Sequence, residues 1–240
     1  MMNNLIPLYK NELKRYFYST GNYVFIALFG LVNNWLFFQN FFLNQQASLS
    51  AFFQNLPFLL LFLIPALAMG LMSEEKNKGT WEILLSLPVK EAEIILSKYL
   101  AGFTVVIASF LTTIALPITV YTHGNPNISI ILTGYLGALI LSASYLALGV
   151  FVSSLTKQQT ISFLITFAVL FVNDIFSQDY FLLRLPLSFR DIISSLSLTP
   201  YYQNIVNGLL TLKGIVFVMT WIITFIILSY FHLKSRKDNR

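Results

Sequence analysis

The chain has 240 residues, of which 56% are hydrophobic and only 10% are charged. A soluble domain carries about 25% charged residues. The 23 Phe and 12 Tyr also hold more apolar surface than a globule of this size can bury. The composition therefore predicts a membrane protein and excludes disorder, collagen and coiled coil. Cysteine is absent, which excludes disulfides and thiolate metal sites.

Six apolar stretches are long enough to cross a membrane. A helix needs roughly 20 largely apolar residues to cross a hydrocarbon core of about 30 Å. Long uncharged runs are present, since no Asp, Glu, Lys, Arg or His lies between Arg15 and Glu74. The pattern predicts an all-α membrane protein, with a fourth span long enough to tilt and a short fifth span. The predicted spans are 23–43, 56–72, 99–121, 128–154, 159–176 and 209–231.

The basic residues indicate how the chain is oriented. If both termini lie in the cytoplasm, twelve Lys and Arg residues fall on the inner side of the membrane. Only Arg184, Arg190 and Lys213 fall on the outer side. This positive-inside bias explains the net charge of +5 without nucleic-acid binding.

The first eighteen residues form an amphipathic pattern. Their apolar side chains fall within an arc of about 120° on a helical wheel, roughly opposite Lys14 and Arg15. The pattern predicts an interfacial helix over 1–18 that lies on the inner membrane surface and turns near Gly21 into the first span. A cytoplasmic extension of the first span is the alternative. The apolar face comprises Leu5, Ile6, Tyr9, Leu13, Tyr16 and Phe17.

The loop over 74–98 is the most polar part of the chain, with five of the ten acidic and four of the fifteen basic residues. Gly79 can end an extension of the second span, and Thr80 can cap a short helix over 81–87 that Pro88 ends. A helix of this length is not stable alone, so the loop predicts a partner surface. A plain polar turn between two spans is the alternative.

Within this loop an acidic and basic cluster, Gly-Thr, Glu, a leucine pair and Pro follow one another. They stand at Glu74, Glu75, Lys78, Gly79-Thr80, Glu82, Leu84-Leu85 and Pro88, followed by Glu93-Ile94 and Lys98. This order resembles the ATP-binding-cassette (ABC) type-2 permeases, and the resemblance extends over essentially the whole chain. Within that family, the runs at 52–54, 63–66 and 124–126 are most similar to the gliding-motility permease subunit (GldF-like).

The resemblance implies a permease subunit of an ATP-driven exporter in a bacterial inner membrane. It implies pairing with a second permease copy or a homologous permease, and with separate ABC ATPase subunits. It also allows an auxiliary membrane subunit with an outer domain. The chain has no Gly-x-x-x-x-Gly-Lys-[Ser/Thr] phosphate loop, so ATP and Mg belong to the partner ATPase, and no cofactor is expected here.

The resemblance further implies that 81–87 is a coupling helix seated in a groove of the ATPase, with polar contacts around it. The expected ATPase-contact residues are Glu74, Glu75, Lys78, Gly79, Thr80, Glu82, Ile83, Leu84, Leu85, Leu87 and Pro88.

The segment over 177–208 is too apolar for a free loop and too charged for a span. The resemblance implies re-entrant outer helices here, and Pro186 and Pro200 are expected to bracket one helix around 189–196. A lipid-surface anchor without a gating role is the alternative.

Polar and small residues inside the spans predict helix packing. Asn33 and Asn34 are the most polar pair at membrane depth, and structural hydrogen bonds are favoured over a role as polar residues of a transport pathway. Small residues of the fourth span predict close helix approach, and three prolines can kink their spans. These residues are Gly134, Gly137, Gly149, Pro57, Pro65 and Pro117.

Other functions fit the sequence less well. His123 and His232 are predicted at opposite membrane faces, and no metal-ligand spacing or paired intramembrane acids accompany them, so no catalytic or metal site is predicted. No predicted span carries an ionisable group at its middle, which argues against ion coupling. The remaining alternative is a membrane scaffold of a gliding-motility or envelope-assembly complex, in which transport is secondary. Neither cargo nor direction of transport follows from the sequence.

Overall fold

A computed structural model of the chain describes residues 5–44, 48–82, 89–124, 126–178, 181, 186 and 195–238. Within these ranges all regular secondary structure is helical, which confirms the predicted all-α class. In chain order the helices are α1 (Leu5–Tyr18), α2 (Thr20–Asn44), α3 (Ser50–Ala68), α4 (Gly70–Asn77), α5 (Glu91–Leu111), α6 (Ala115–His123), α7 (Ile128–Leu155), α8 (Gln159–Ile175), α9 (Leu198–Val206) and α10 (Leu212–Asp238).

Five helical segments of the described chain are long and apolar enough to cross a membrane. They correspond to the first, second, third, fourth and sixth predicted spans. The fifth predicted span is α8, an apolar helix of only 17 residues, so six full-length spans are not confirmed. The five segments are Thr20–Gln39, Ser50–Asn77, Glu91–His123, Ile128–Leu155 and Leu212–Ser235.

Helix α7 is the centre of the bundle and contacts α3, α5, α8, α9 and α10. Its apolar window is 78% buried, whereas that of α10 is 17% buried, so α7 is an interior helix and α10 a peripheral one. Glycines allow the close contacts. A Cβ atom on Gly149 would lie 2.3 Å from the Cβ of Ala68, and one on Gly134 would lie 2.4 Å from the Phe53 ring. The small residues of this span therefore serve packing, as predicted.

The third span is interrupted between α5 and α6. Pro117 has no N–H group to donate to the carbonyl of Thr113, four residues earlier. That carbonyl accepts instead from the Leu116 N–H at 3.0 Å and from the Tyr135 hydroxyl at 3.1 Å. The third span is thus broken over residues 112–114, just before Pro117, whereas α3 continues through Pro57 and Pro65.

Helix α1 folds back against α5 and is separate from α2, which excludes a simple extension of the first span. The Tyr9 hydroxyl lies 2.8 Å from Thr104 Oγ1, and Tyr16 is buried. Other members of the predicted apolar face point outward, since Ile6 is 62% and Phe17 is 39% exposed. The end of the bundle that holds α1 and α4 is called the α1 side below.

The first residues of helix α9 lie in space beside the last turn of α8. The Leu198 N–H donates to Asn173 Oδ1 at 3.1 Å, and the Thr199 hydroxyl donates to Asp174 Oδ1 at 2.7 Å. Helix α9 then packs along α7 and reaches the start of α3, where the Tyr202 hydroxyl donates to the Phe53 carbonyl at 2.7 Å. This end of the bundle is called the α9 side.

Pro200, which is predicted to bracket a helix around 189–196 together with Pro186, lies in the first turn of α9. Proline is tolerated there because the first N–H groups of a helix have no acceptor within it. Most of 189–196, from 189 to 194, lies outside the described residues.

Candidate functional site at the α1 side

Lys98 is the centre of a cluster of charged side chains on the α1 side. It lies on α5 and is 0% exposed. Its Nζ atom lies 2.8 Å from Glu12 Oε1 on α1 and 2.6 Å from Glu75 Oε1 on α4. A lysine with its ammonium out of water needs such partners, because an unpaired buried charge is strongly destabilising.

Arg15 completes the cluster from α1. Its Nη1 atom bonds Glu75 Oε1, and its Nη2 atom lies 3.8 Å from Glu12 Oε2. Burial opposes the charge on Arg15, and the carboxylates of Glu12 and Glu75 outweigh this effect, so that the pKa of Arg15 lies above its usual value. Two acids and two bases thus form one network, called the four-charge cluster below, that joins α1, α4 and α5.

The start of the loop is folded onto the bundle next to this cluster. Gly79 has a φ of 72°, in the left-handed region, which lets the chain turn out of α4. The Thr80 hydroxyl donates to the Glu75 carbonyl at 3.4 Å. Trp81 is buried, and Lys76 Nζ lies 5.1 Å from its ring centroid and bonds the carbonyl of Ser154. The described start of the loop, from Gly79 to Trp81, is therefore held against the bundle.

The structure separates the predicted ATPase-contact residues into three groups. Glu75 is buried in the four-charge cluster and not on the surface. Glu74 is half-buried and lies 2.5 Å from Lys78 Nζ, while the remaining described members are exposed. Those exposed members are Lys78, Gly79, Thr80 and Glu82, and the members Ile83, Leu84, Leu85, Leu87 and Pro88 lie outside the described residues.

The two asparagines of the first span bond mainly to their own helix. Asn33 is buried, and its amide donates to the Phe29 carbonyl at 2.7 Å. Asn34 donates to the Gly30 carbonyl at 2.7 Å and to the Thr112 carbonyl at 3.3 Å, at the break between α5 and α6. These are the structural hydrogen bonds favoured by the sequence, and contact with cargo stays a prediction.

Sequence reasoning did not find the four-charge cluster. Lys98 and Arg15 were counted as positive-inside residues, and Glu75 was assigned to the surface. The available signal was Glu12 and Arg15, which stand three residues apart and share one face of α1. Their partners lie 60 or more residues away, and a single sequence does not show which distant charges meet.

Five helices of this length and hydropathy define a multi-pass membrane protein. Comparison with protein families then identifies the family of this membrane protein. The model of the family described as ABC-2 family transporter protein matches residues 15–238, so the chain belongs to this family. No curated protein matches the chain. Membership implies a membrane component of an ABC transporter, which works with an ABC ATPase.

Proposed function

We propose that the chain is the permease subunit of an ATP-driven ABC exporter, located in a bacterial cytoplasmic membrane with both termini in the cytoplasm. It forms the translocation pathway with a second permease copy or a homologous permease. Separate ABC ATPase subunits bind ATP and Mg and act on the chain through residues 81–87. An auxiliary membrane subunit with an outer domain would be a further partner.

The observation that carries this proposal is the four-charge cluster. Helix α4 leads into the loop and α5 leads out of it, and Glu75 and Lys98 join the two helices at 2.6 Å. Glu12 and Arg15 add α1 to the same cluster. A displacement of the loop by a partner would therefore move three helices together, which is what a rigid-body switch between two states requires.

The loop itself supplies the chemistry of the contact. Residues 83–87 read Ile-Leu-Leu-Ser-Leu, and such an apolar sequence favours a groove in a partner. In this proposal Glu74, Lys78 and Glu82 supply the polar contacts of the same interface. Glu75 is not one of these contacts, because it is buried in the four-charge cluster and positions α4 from inside the bundle.

Replacing Leu84 and Leu85 together with Asp tests the coupling contact. We expect the variant to insert into the membrane normally and to lose the ATPase from affinity purifications, because two carboxylates would enter an apolar groove. The measurement is the ratio of ATPase to permease after purification in mild detergent. The matched control replaces both leucines with Met, which keeps the segment apolar. Undiminished ATPase recovery with the Asp variant would disprove the contact.

A cysteine scan tests the orientation. The natural chain has no cysteine, so a single introduced thiol gives an unambiguous signal. We expect a cysteine at Asn125 to react with a membrane-impermeant thiol reagent added to intact cells, and a cysteine at Asn77 to react only after the cells are opened. The reverse pattern would overturn the topology.

The finer similarity to the gliding-motility permease subunit rests on the sequence runs alone. It leaves a membrane scaffold of a motility or envelope-assembly complex as the alternative, with transport secondary. The two functions differ in one measurable property, because only an exporter complex should hydrolyse ATP faster when its substrate is added.

A further inference from the structure

A cavity of about 350 Å³ opens on the α1 side between α2 and the α3–α4 pair. Its volume falls in the range of roughly 300–1,000 Å³ that is usual for ligand sites. The polar lining is at one end and the apolar lining at the other. Arg15, Asn22, Glu74 and Gln159 line the end near the four-charge cluster. Phe25, Leu28, Leu63 and Leu67 line the end toward the middle of the spans.

The order of these residues along the helices sets the direction of the cavity. From Glu74 back to Leu63, α4 and α3 descend by roughly 16 Å at 1.5 Å per residue. From Asn22 to Leu28, α2 descends on the facing wall by roughly 9 Å. The cavity thus passes from charged groups at the surface to apolar groups at membrane depth, as a lipid molecule does.

The charged end offers one cation and one anion. The Arg15 side chain is 42% exposed although its Nη1 atom bonds Glu75, and a guanidinium has five N–H donors. Glu74 uses Oε1 for Lys78. Its Oε2 atom lies 3.6 Å from where a Cβ on Gly70 would stand, and Gly70 lines the cavity, so this oxygen is turned toward it.

We infer that this cavity binds a phospholipid with a primary ammonium headgroup, of the phosphatidylethanolamine class, from the leaflet on the α1 side. Arg15 donates to the phosphate, since a guanidinium matches phosphate oxygens in geometry and charge. Glu74 accepts from the ammonium, which has three N–H donors. The acyl chains lie along Phe25, Leu28 and Leu63 and continue into the bilayer.

The hydrogen-bond donors of the headgroup select this class of lipid. An anionic headgroup without an amine offers no N–H to Glu74 Oε2, the oxygen that Lys78 does not bond. A choline headgroup carries the positive charge but has no N–H to donate. The bound lipid bridges α1 and α4, the helices that Arg15 and Glu75 already join. This inference goes beyond the proposed transport function and does not depend on an ATPase.

Native mass spectrometry of the purified full-length chain tests the inference. The protein is taken from nanodiscs that contain equal amounts of phosphatidylethanolamine and phosphatidylcholine, and the lipid that stays bound is identified. We expect phosphatidylethanolamine to be enriched about tenfold, which corresponds to one charge-assisted hydrogen bond. Equal retention of the two lipids by the natural chain would overturn the inference.

Two variants separate the two ends of the headgroup. Glu74→Gln should abolish the preference for phosphatidylethanolamine while phosphatidylcholine stays bound, and Arg15→Gln should weaken both lipids about tenfold. Lys14→Gln is the matched control, because it removes a basic charge from the adjacent position of α1 and does not line the cavity. Unchanged preference in Glu74→Gln, or equal loss in Lys14→Gln and Arg15→Gln, would overturn the inference.

A third variant tests the apolar end. Ala66 lines the cavity, and Ala66→Phe should fill it and reduce retention of phosphatidylethanolamine. Because this residue lies outside the four-charge cluster, the variant does not depend on the ion pairs. Soluble phosphoethanolamine should fail to displace the lipid, since it has no acyl chain. Complete displacement by it would show that the cavity recognises the headgroup alone and would overturn the role of the apolar wall.

Discussion

Replacing Lys98 with Met should destabilise the protein by about 3–5 kcal/mol, the usual result of removing one partner from a buried ion pair. The substitution keeps the length and apolar character of the side chain but removes the ammonium. Glu12 and Glu75 then lie in the bundle with Arg15 as their remaining cation. The measurement is the midpoint of thermal unfolding in detergent, at one scan rate for all variants.

Two further variants decide whether the four-charge cluster is the cause. Lys78→Met removes an ion pair with Glu74 that is largely exposed, and it should change stability by less than about 1 kcal/mol. Adding Glu12→Gln to Lys98→Met leaves Arg15 paired with Glu75, and it should recover part of the loss. An unfolding midpoint of Lys98→Met equal to that of the natural protein would contradict the electrostatic account.

Replacing Gly149 with Ala should also destabilise the bundle, by about 1–3 kcal/mol, because the new methyl group overpacks the contact between α3 and α7. Its Cβ would lie 2.3 Å from the Cβ of Ala68, a side chain that cannot rotate away. The two helices must therefore separate, and α7 contacts most of the bundle. Gly149→Val should lower the stability of the protein more than Gly149→Ala does.

Gly102 provides the matched control for this substitution. A Cβ there would meet Leu146 at 3.4 Å and Leu71 at 3.6 Å, which are ordinary contacts. Gly102→Ala should therefore be neutral or stabilising, because Ala has the higher helix propensity by about 1 kcal/mol. Equal loss of stability in the two variants, measured by thermal unfolding, would show that glycine-to-alanine changes in these spans act for a reason other than overpacking.

The positions of the spans could be predicted because their signal is local. Lipid excludes charge, so uncharged runs mark the helices, and all five candidate spans begin within eight residues of the predicted starts. The second span begins at Ser50 and not at 56, because the helix continues through the polar residues Gln54 and Asn55. The third begins at Glu91, because the charged turn over 91–98 belongs to the same helix.

The site was less predictable for a different reason. The polar loop and its turn at Gly79 follow from local chemistry, and the positive φ there agrees with the prediction. Whether Glu75 faces a partner or the bundle depends on a lysine 23 positions away on another helix, and this information is not local. Trp81 is a similar case, since its burial against the bundle requires the tertiary structure.

The shortness of α8 has a consequence for the permeability barrier. Its 17 residues rise by about 25 Å, which is less than the roughly 30 Å of an average hydrocarbon core. At its end Asn173 and Asp174 already bond to the first residues of α9. If α8 crosses the bilayer as the fifth predicted span, the bilayer beside it thins by about 5 Å, or water enters from the α9 side to the same depth. The insulating layer of the membrane would then be thinnest at the junction of α8 and α9.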